Sequence, residues 1–195
     1  LNPKLHLNEQ AREIPYNTAF EINRTNFQIG VLLGSGNYGS VYDGKAFGLL
    51  YPGSETRVAI KTVNDALDSN QLKALLYEIK ILSNLDLHVN LVNLMAACTS
   101  EPASGEIWML LEFCHFGDMK TFLVQHRQQF INSITGQVAL DLDARMLLKW
   151  SHSIAKGMEY LAMKRIMHGD LAARNILITD KHVAKVSDFG LSKRF

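Results

Sequence analysis

The stretch HGDLAARN, residues 168–175, brings a histidine, an aspartate, an arginine and an asparagine together within eight positions. A loop with Asp170 and Asn175 five residues apart can place a carboxylate beside a hydroxyl nucleophile and an amide oxygen on a metal ion. A turn rich in Asp and Asn is equally common in proteins where it has no catalytic role. The rest of the chain has to decide between these two interpretations.

A glycine-rich stretch, GSGNYGSV, occupies residues 34–41. A dinucleotide-binding fold needs a helix to begin at such glycines, so that the helix N-terminus faces the pyrophosphate. Residues 40–47 instead have the pattern of a strand, which argues against a dinucleotide-dependent oxidoreductase. A strand, a glycine turn and a second strand fit a flap over phosphates, although a plain glycine-rich hairpin has the same pattern.

Lys61 ends the strand-like run VAIK, and Glu78 lies on an amphipathic helical pattern. A lysine in an apolar strand usually reaches to water from an edge, and a glutamate on a helix is usually solvated. The alternative is that Lys61 reaches phosphate oxygens while Glu78 fixes its ammonium group. Further along, Asp188 in SDFGL follows the predicted strand HVAKV, where a carboxylate can hold Mg²⁺ against phosphate oxygens, although Asp-x-Gly is also an ordinary turn.

Composition describes an ordinary globular protein and excludes several classes. The 195 residues are 47% apolar and 20% charged, with a net charge of +1, which argues against a general nucleic-acid binder. The two cysteines, Cys98 and Cys114, form no disulfide framework and fit a reducing compartment. No run approaches the roughly 20 apolar residues of a transmembrane helix, and residues 1–10 do not resemble a signal peptide.

Periodicity predicts a β-rich half followed by a helical half, with a hinge near 112–117. Five short runs predict mostly antiparallel strands: FQIGVLL, SVYDGKAF, TRVAIKTV, LVNLMAA and EIWMLLEF. Leucines and isoleucines at three- and four-residue spacing predict a helix over about 68–85. We expect residues 1–26 to be an aperiodic leader.

The second half is predicted to contain a helix that opens at Met119, a loop over 127–141 and a long helix from Asp143 to Met163. The residues predicted to share one face of the long helix are Leu147, Leu148, Ile154, Ala155, Met158 and Leu161. The runs NILI and HVAKV predict two short strands around a turn at Asp180.

Each signal is weak alone, but their order and spacing together resemble the protein kinase family from Phe27 to Phe195. DLAARN is the tyrosine-kinase form of the catalytic loop. Four further stretches resemble receptors of the vascular endothelial and platelet-derived growth factor receptor group: residues 7–30, KAFGL, NLVNLMAACT and LLEFCHFGDMKTFL. The fold class implied is α+β, a two-lobe kinase fold truncated after the DFG sequence.

The resemblance implies a role for each matching residue. Asp170 would accept the tyrosine hydroxyl proton, Arg174 would help place the tyrosine, and Lys61, paired with Glu78, would bind the α- and β-phosphates. Asn175 and Asp188 would hold Mg²⁺. The ATP site would comprise Leu33, Gly34, Ser35, Gly36, Asn37, Tyr38, Gly39, Val41, Ala59, Lys61, Leu111, Glu112, Cys114 and Leu177. His168, Phe189 and Leu82 would stack in the core and take no part in acid–base chemistry.

The resemblance also implies an organisation and partners. Residues 1–26 would be a juxtamembrane segment with Tyr16 as a regulatory phosphorylation site, 27–114 the N-lobe and hinge, and 115–195 part of the C-lobe. ATP, Mg²⁺ and protein tyrosine substrates would be bound. The whole protein would be a plasma-membrane receptor with a cytoplasmic kinase domain that works as a homodimer, and no nucleic acid would be bound.

The sequence departs from the group in three places. The stretch 127–141 is short where these receptors have a long insert. The sequence stops five residues beyond Gly190, before the activation loop and the remaining C-lobe helices, so we expect this chain alone to be inactive and to expose apolar surface. Gly169 stands where the family has an arginine that pairs with activation-loop phosphate. A pseudokinase or scaffold that binds nucleotide without transfer is therefore the alternative function.

The ATP, metal and hydroxyl contacts do not include residue 169, so its change predicts altered control and retained chemistry. In a complete domain, Gly169→Arg is expected to make activity depend on activation-loop phosphorylation. The measurement compares kinase activity before and after phosphatase treatment. An equal response of the glycine and arginine forms would contradict the prediction.

Overall fold

The computed structural model describes residues 15–36, 39–65, 68–101, 106–134, 142–189 and 193–194. The strands are β1 (Phe27–Gly36), β2 (Gly39–Phe47), β3 (Glu55–Thr62), β4 (Leu94–Glu101), β5 (Glu106–Glu112), β6 (Ile166–Met167), β7 (Ile176–Ile178), β8 (Ala184–Val186) and β9 (Lys193–Arg194). The helices are α1 (Ser69–Ser83), α2 (Met119–Gln125), α3 (Arg127–Ile134) and α4 (Ala144–Met163), with 3₁₀ turns at Thr18–Phe20, Arg24–Asn26 and Ala173–Asn175.

The chain divides into two compact units. Unit 1 comprises Leu1–Leu87, Asn93–Phe113 and Phe189–Phe195, and unit 2 comprises His88–Val92 and Cys114–Asp188. Unit 1 therefore contains the large sheet and α1, while unit 2 contains α2, α3, α4 and the β7–β8 pair.

The sheet of unit 1 has five antiparallel strands in the order β1-β2-β3-β5-β4. These are the five strands that the sequence predicts, although β4 begins at Leu94, three residues after the start of its predicted run. One face of the sheet encloses an apolar core formed by Phe27, Ala46, Val58, Ile60, Ala96, Cys98 and Leu110. The order makes β3 the central strand, so its residues lie in the most constrained part of the unit.

An aspartate caps the start of each of three helices. The carboxylate of Asp68 accepts the N–H groups of Asn70 and Gln71, at 2.8 and 3.3 Å, at the start of α1. Asp118 and Asp143 make the equivalent bond for α2 and α4. Each cap satisfies main-chain donors that the helix leaves without intrahelical partners. The caps fix where these helices begin and hence which residues face inward.

Helix α4 has the predicted span, but the residues of its predicted apolar face differ in burial. Trp150, Gly157 and Leu161 are its buried positions, whereas Leu148 is 71% exposed. Ala155 is likewise exposed, so the predicted apolar face is only partly buried among the described residues.

The predicted loop over 127–141 is helical in its first part, where α3 forms. Phe130 is buried, and its ring meets that of Trp150 with 6.2 Å between centroids. Phe130 is the fully buried apolar residue among the described side chains of this largely polar helix, and one such residue gives no periodic signal. Residues 135–141 lie outside the described residues.

The segment 15–26, predicted as an aperiodic leader, forms two 3₁₀ turns and hydrogen-bonds to β4 within unit 1. The main-chain N–H of Ile22 donates to Ala97, at 2.9 Å. The Glu21 carboxylate accepts the N–H and hydroxyl of Thr99, at 2.7 and 2.9 Å, and the hydroxyl of Tyr16. Burial and the neighbouring Glu21 carboxylate raise the pKa of Tyr16. This segment therefore forms a strap along β4.

None of the helices within the described part of the chain combines the length and the apolar character needed to cross a bilayer.

Candidate active site

In unit 1, Lys61 and Glu78 form a buried ion pair. Lys61 Nζ lies 2.8 Å from Glu78 Oε2, and the two residues are only 8% and 2% exposed. Lys61 stands on the central strand β3, and α1 supplies Glu78 from its inward side. The second oxygen of Glu78 accepts the main-chain N–H of Phe189, at 3.1 Å. Neither the exposed-lysine nor the solvated-glutamate interpretation therefore fits.

The strand register gathers the unit 1 residues of the predicted ATP site on one face of the sheet. Val41 pairs with Lys61, and Ala59 pairs with Leu111. Directly opposed residues of antiparallel strands project to the same side, and so do alternate residues along a strand. Val41, Ala59, Lys61 and Leu111 therefore share a face, opposite the apolar core that contains Val58 and Ile60.

The three predicted loop glycines differ in what the protein requires of them. Gly39 has φ of +136°, and a Cβ there would lie 2.1 Å from the carbonyl oxygen of Thr62. At Gly34 and Gly36, in contrast, an added Cβ meets no atom of the described residues within 4 Å. Neither packing nor an unusual φ therefore explains glycine at 34 and 36.

On its β1 side, the predicted glycine-rich loop is exposed to solvent. Leu33 and Ser35 are exposed on β1, whereas Asn37 and Tyr38 lie outside the described residues. The loop hairpin begins with β1 and returns through β2, with Ser35 opposite Ser40.

The two predicted hinge residues, Glu112 and Cys114, each make a main-chain hydrogen bond within their own unit. In unit 1 the N–H of Glu112 donates to the carbonyl of Asn93, at 3.0 Å. In unit 2 the carbonyl of Cys114 accepts the N–H of Gly117, at 3.2 Å.

In unit 2, the carboxylate of Asp170 is held from both sides. Arg174 Nη2 donates to Oδ1, at 2.6 Å, and Asn175 Nδ2 donates to Oδ2, at 2.9 Å. These donors, the Arg174 bond first, lower the pKa of Asp170. Its carboxylate is therefore ionised at neutral pH and has a fixed orientation, as a proton acceptor requires.

The β7–β8 hairpin brings the metal-ligand candidates of unit 2 close together. Ile176 pairs with Val186, so the residue before β7 faces the residue after β8. The N–H and hydroxyl of Ser187 donate to the carbonyl of Asn175, at 2.8 and 2.9 Å, and Asp188 follows directly. Leu177, predicted to lie below the adenine, is half-buried on β7. The role of Ser187 had no sequence signal, because serine before aspartate is common.

The donor set of Asn175 and Asp188 suits Mg²⁺. The amide nitrogen of Asn175 donates to Asp170, which assigns its Oδ1 as the acceptor side of the amide. An amide oxygen and a carboxylate are hard ligands of the kind that magnesium prefers, and substrate phosphates commonly complete its shell. Within the described residues no group of three or more His, Cys, Asp or Glu side chains could hold a metal by itself.

Asp188 has an unusual backbone conformation, and His168 is deeply buried. Asp188 has φ of +60°, a conformation that costs a non-glycine residue energy and that clusters at functional sites. His168 is 1% exposed, accepts the N–H of Asp170 at Nδ1 and contacts the carbonyl of Ser187 through Nε2. Both ring nitrogens serve the loop structure, in keeping with the predicted structural role of this histidine.

Gly169 adopts a left-handed conformation in the middle of this loop, with φ of +83°. It is exposed, and none of the described hydrogen bonds to the Asp170 carboxylate comes from it. Glycine takes this conformation without steric cost.

Unit 1 has a strand-borne lysine paired with a helical glutamate, and unit 2 has an aspartate–asparagine loop followed by a second aspartate. These parts are the ones that protein kinases share. The chain matches the family described as protein tyrosine and serine/threonine kinase over residues 27–195. It belongs to the protein kinase family.

Relatives with established names are growth factor receptors. The mast/stem cell growth factor receptor Kit of Takifugu rubripes is 32% identical over 93% of this chain and 24% of its own length. Vascular endothelial growth factor receptor 2 of Rattus norvegicus is 30% identical over 97% of the chain and 18% of its own length. Fibroblast growth factor receptor homolog 2 of Drosophila melanogaster is 34% identical over 93% and 18%. The chain thus spans about a quarter or less of these relatives.

The alignment with the Kit relative extends over 243 positions, more than this chain has residues. That relative therefore carries residues without a counterpart here.

The contrast between the loop glycines gives a testable prediction. Gly39→Ala is expected to destabilise unit 1 by at least about 2 kcal/mol, because its Cβ would collide with backbone at a positive φ. Gly36→Ala is expected to leave stability within about 0.5 kcal/mol but to weaken ATP binding about tenfold, by blocking backbone donors. Chemical unfolding and nucleotide titration measure the two effects. Wild-type ATP affinity in Gly36→Ala would contradict the interpretation of this loop.

Proposed function

We propose that this chain is the nucleotide-binding part of a protein-tyrosine kinase, which transfers the γ-phosphate of ATP to tyrosine hydroxyls. The observation that carries the proposal is the ionised carboxylate of Asp170, oriented by Arg174 and Asn175 in the loop DLAARN. A protein that only bound nucleotide would have no use for a base held in this way. The membership of the chain in the kinase family supports the same conclusion.

In the proposed reaction, Asp170 accepts the proton of the tyrosine hydroxyl. The tyrosine oxygen forms a bond to the γ-phosphorus while the bond from that phosphorus to the bridging oxygen breaks, so that ADP leaves. Arg174 keeps the Asp170 carboxylate ionised and, as the family resemblance implies, helps to place the acceptor tyrosine. Since the transfer needs little covalent help, orientation and charge account for most of the rate.

Charge neutralisation falls to a lysine and two oxygen ligands. Lys61 would bind the α- and β-phosphates, with its ammonium kept in position by Glu78. Asn175 and Asp188 would hold Mg²⁺, which when bound neutralises phosphate charge. The carboxylate and amide chemistry of these two side chains supports this assignment.

The adenine would lie against the face of the sheet that carries Val41 and Ala59, with Leu177 on its other side. Leu111 would take the gatekeeper position at the back of the site. The main-chain carbonyl of Glu112 and the N–H of Cys114 would bind the adenine edge. The register of β2, β3 and β5 supports the unit 1 part of this arrangement.

The receptor relatives suggest the biological setting. We place a juxtamembrane segment at 1–26, the kinase N-lobe and hinge at 27–114, and part of the C-lobe at 115–195. The whole protein would carry its kinase domain on the cytoplasmic side of the plasma membrane and act as a homodimer on tyrosine-containing proteins. The strap along β4 is the part of the juxtamembrane segment that lies in the described residues.

The alternative, a pseudokinase, has its support in Gly169. That residue lies outside the set of groups that orient Asp170, and the lysine, glutamate, asparagine and aspartates of the reaction are all retained. Altered control of an active enzyme is therefore the better account of Gly169.

Phosphate transfer from ATP to a tyrosine peptide tests the proposal in the protein that carries this chain. Asp170→Asn is expected to lower the rate at least about 100-fold, because the base is lost, while ATP affinity stays within about twofold, because the ligand contacts remain. Asp180→Asn, the same change on an exposed turn, is the control and is expected to match the wild type. Nucleotide binding without any transfer by the wild type would favour the pseudokinase.

A further inference from the structure

The sheet face that carries the proposed adenine contacts continues outward into a second row of side chains. Alternation along β2 and β3 puts Asp43 on the same face as Val41, and Arg57 on the same face as Ala59. In the register, Asp43 lies opposite Ala59. Two residues beyond Leu111, where β5 has just ended, alternation brings Phe113 to the same side.

These three outer residues contact one another. Arg57 Nε donates to Asp43 Oδ1 at 3.0 Å, and Arg57 Nη2 donates to Oδ2 at 2.9 Å. The central carbon of the guanidinium lies 3.8 Å from the centroid of the Phe113 ring. The Arg57 bonds lower the pKa of Asp43, so the carboxylate is charged under all ordinary conditions. One planar group thus joins β2 and β3 to the residue that follows β5.

This cluster differs from an ordinary surface ion pair. The side chain of Arg57 is 51% exposed, and an exposed pair by itself contributes little to folding. A two-pronged bond to a carboxylate, however, fixes the plane of the guanidinium, and that plane then restrains the aromatic ring it covers. The neighbouring Lys45–Glu55 pair on the same two strands makes one contact of 2.8 Å. The lysine ammonium is not planar, so it cannot restrain an aromatic ring in the same way.

Restraint of the Phe113 ring affects the neighbouring Glu112 carbonyl. Phe113 directly follows Glu112, whose carbonyl is proposed to bind the adenine edge, and the N–H of Glu112 is tied to Asn93. Fixing the Phe113 ring limits rotation of the peptide between these two residues, and with it the direction of the Glu112 carbonyl. A carbonyl held in its binding orientation before ATP arrives costs less to order when ATP binds.

We propose that Arg57 is a positioning residue for the nucleotide. Asp43 orients Arg57, Arg57 holds Phe113, and Phe113 keeps the Glu112 carbonyl in place for adenine. The inference rests on the proposed function, because it specifies how the same site is pre-organised. It concerns binding of the nucleotide and not the transfer step, so it affects the KM for ATP and leaves kcat unchanged.

Titration of the chain with ATP and Mg²⁺ tests the proposal. Arg57→Gln is expected to weaken ATP affinity about three- to fivefold, since it removes the stacked cation. Arg57→Lys is expected to weaken it similarly, because lysine keeps the charge without the fork or the plane. Lys45→Gln on the adjacent strand is the matched control and is expected to bind ATP like the wild type. In the protein that carries this chain, KM for ATP rises by the same factor while kcat stays unchanged.

A second variant separates the proposed chain of contacts from a general loss of structure. In a Phe113→Leu background, Arg57→Gln is expected to have no further effect on ATP affinity, because its target is already absent. Wild-type affinity in Arg57→Lys would show that charge alone suffices and would overturn the proposal, as would a full additional loss in the Phe113→Leu background. If Arg57→Gln binds like the wild type, only this inference fails. If the wild-type chain binds no nucleotide, the proposed function fails with it.

Discussion

The carboxylate of Glu78 is held by two donors inside unit 1, the ammonium of Lys61 at 2.8 Å and the main-chain N–H of Phe189 at 3.1 Å. Removing two charges from water is costly, and apolar residues of similar size often stabilise a fold as well or better. A buried pair of this kind on a central strand is therefore poorly explained by stability. It is well explained if the ammonium has to be presented to an anionic ligand in a fixed position.

The remaining features of unit 1 serve the same face of the sheet as this pair. Gly34 and Gly36 lack side chains where the described residues do not require glycine. On the same face, the Arg57 guanidinium is stacked against Phe113.

Sequence alone predicted much of this arrangement, because strand alternation, the helical period and the motif order carry it directly. The five strands and the long helix are confirmed, the predicted Lys61–Glu78 pair forms, and Arg174 contacts Asp170. The sequence did not predict α3, because one buried side chain, Phe130, leaves no periodic signal. It also missed the strap of residues 15–26 and the Arg57 cluster, since both depend on which strands lie side by side.

The central claim is that the Lys61–Glu78 pair exists for a nucleotide and not for the fold. The most direct measurement combines ATP titration and chemical unfolding of the double variant Lys61→Met, Glu78→Gln, in which glutamine still accepts the Phe189 N–H. The account predicts a free energy of unfolding within about 1 kcal/mol of the wild type and ATP affinity at least about tenfold weaker. Unchanged ATP affinity, or a loss of about 3 kcal/mol or more in stability, would contradict it.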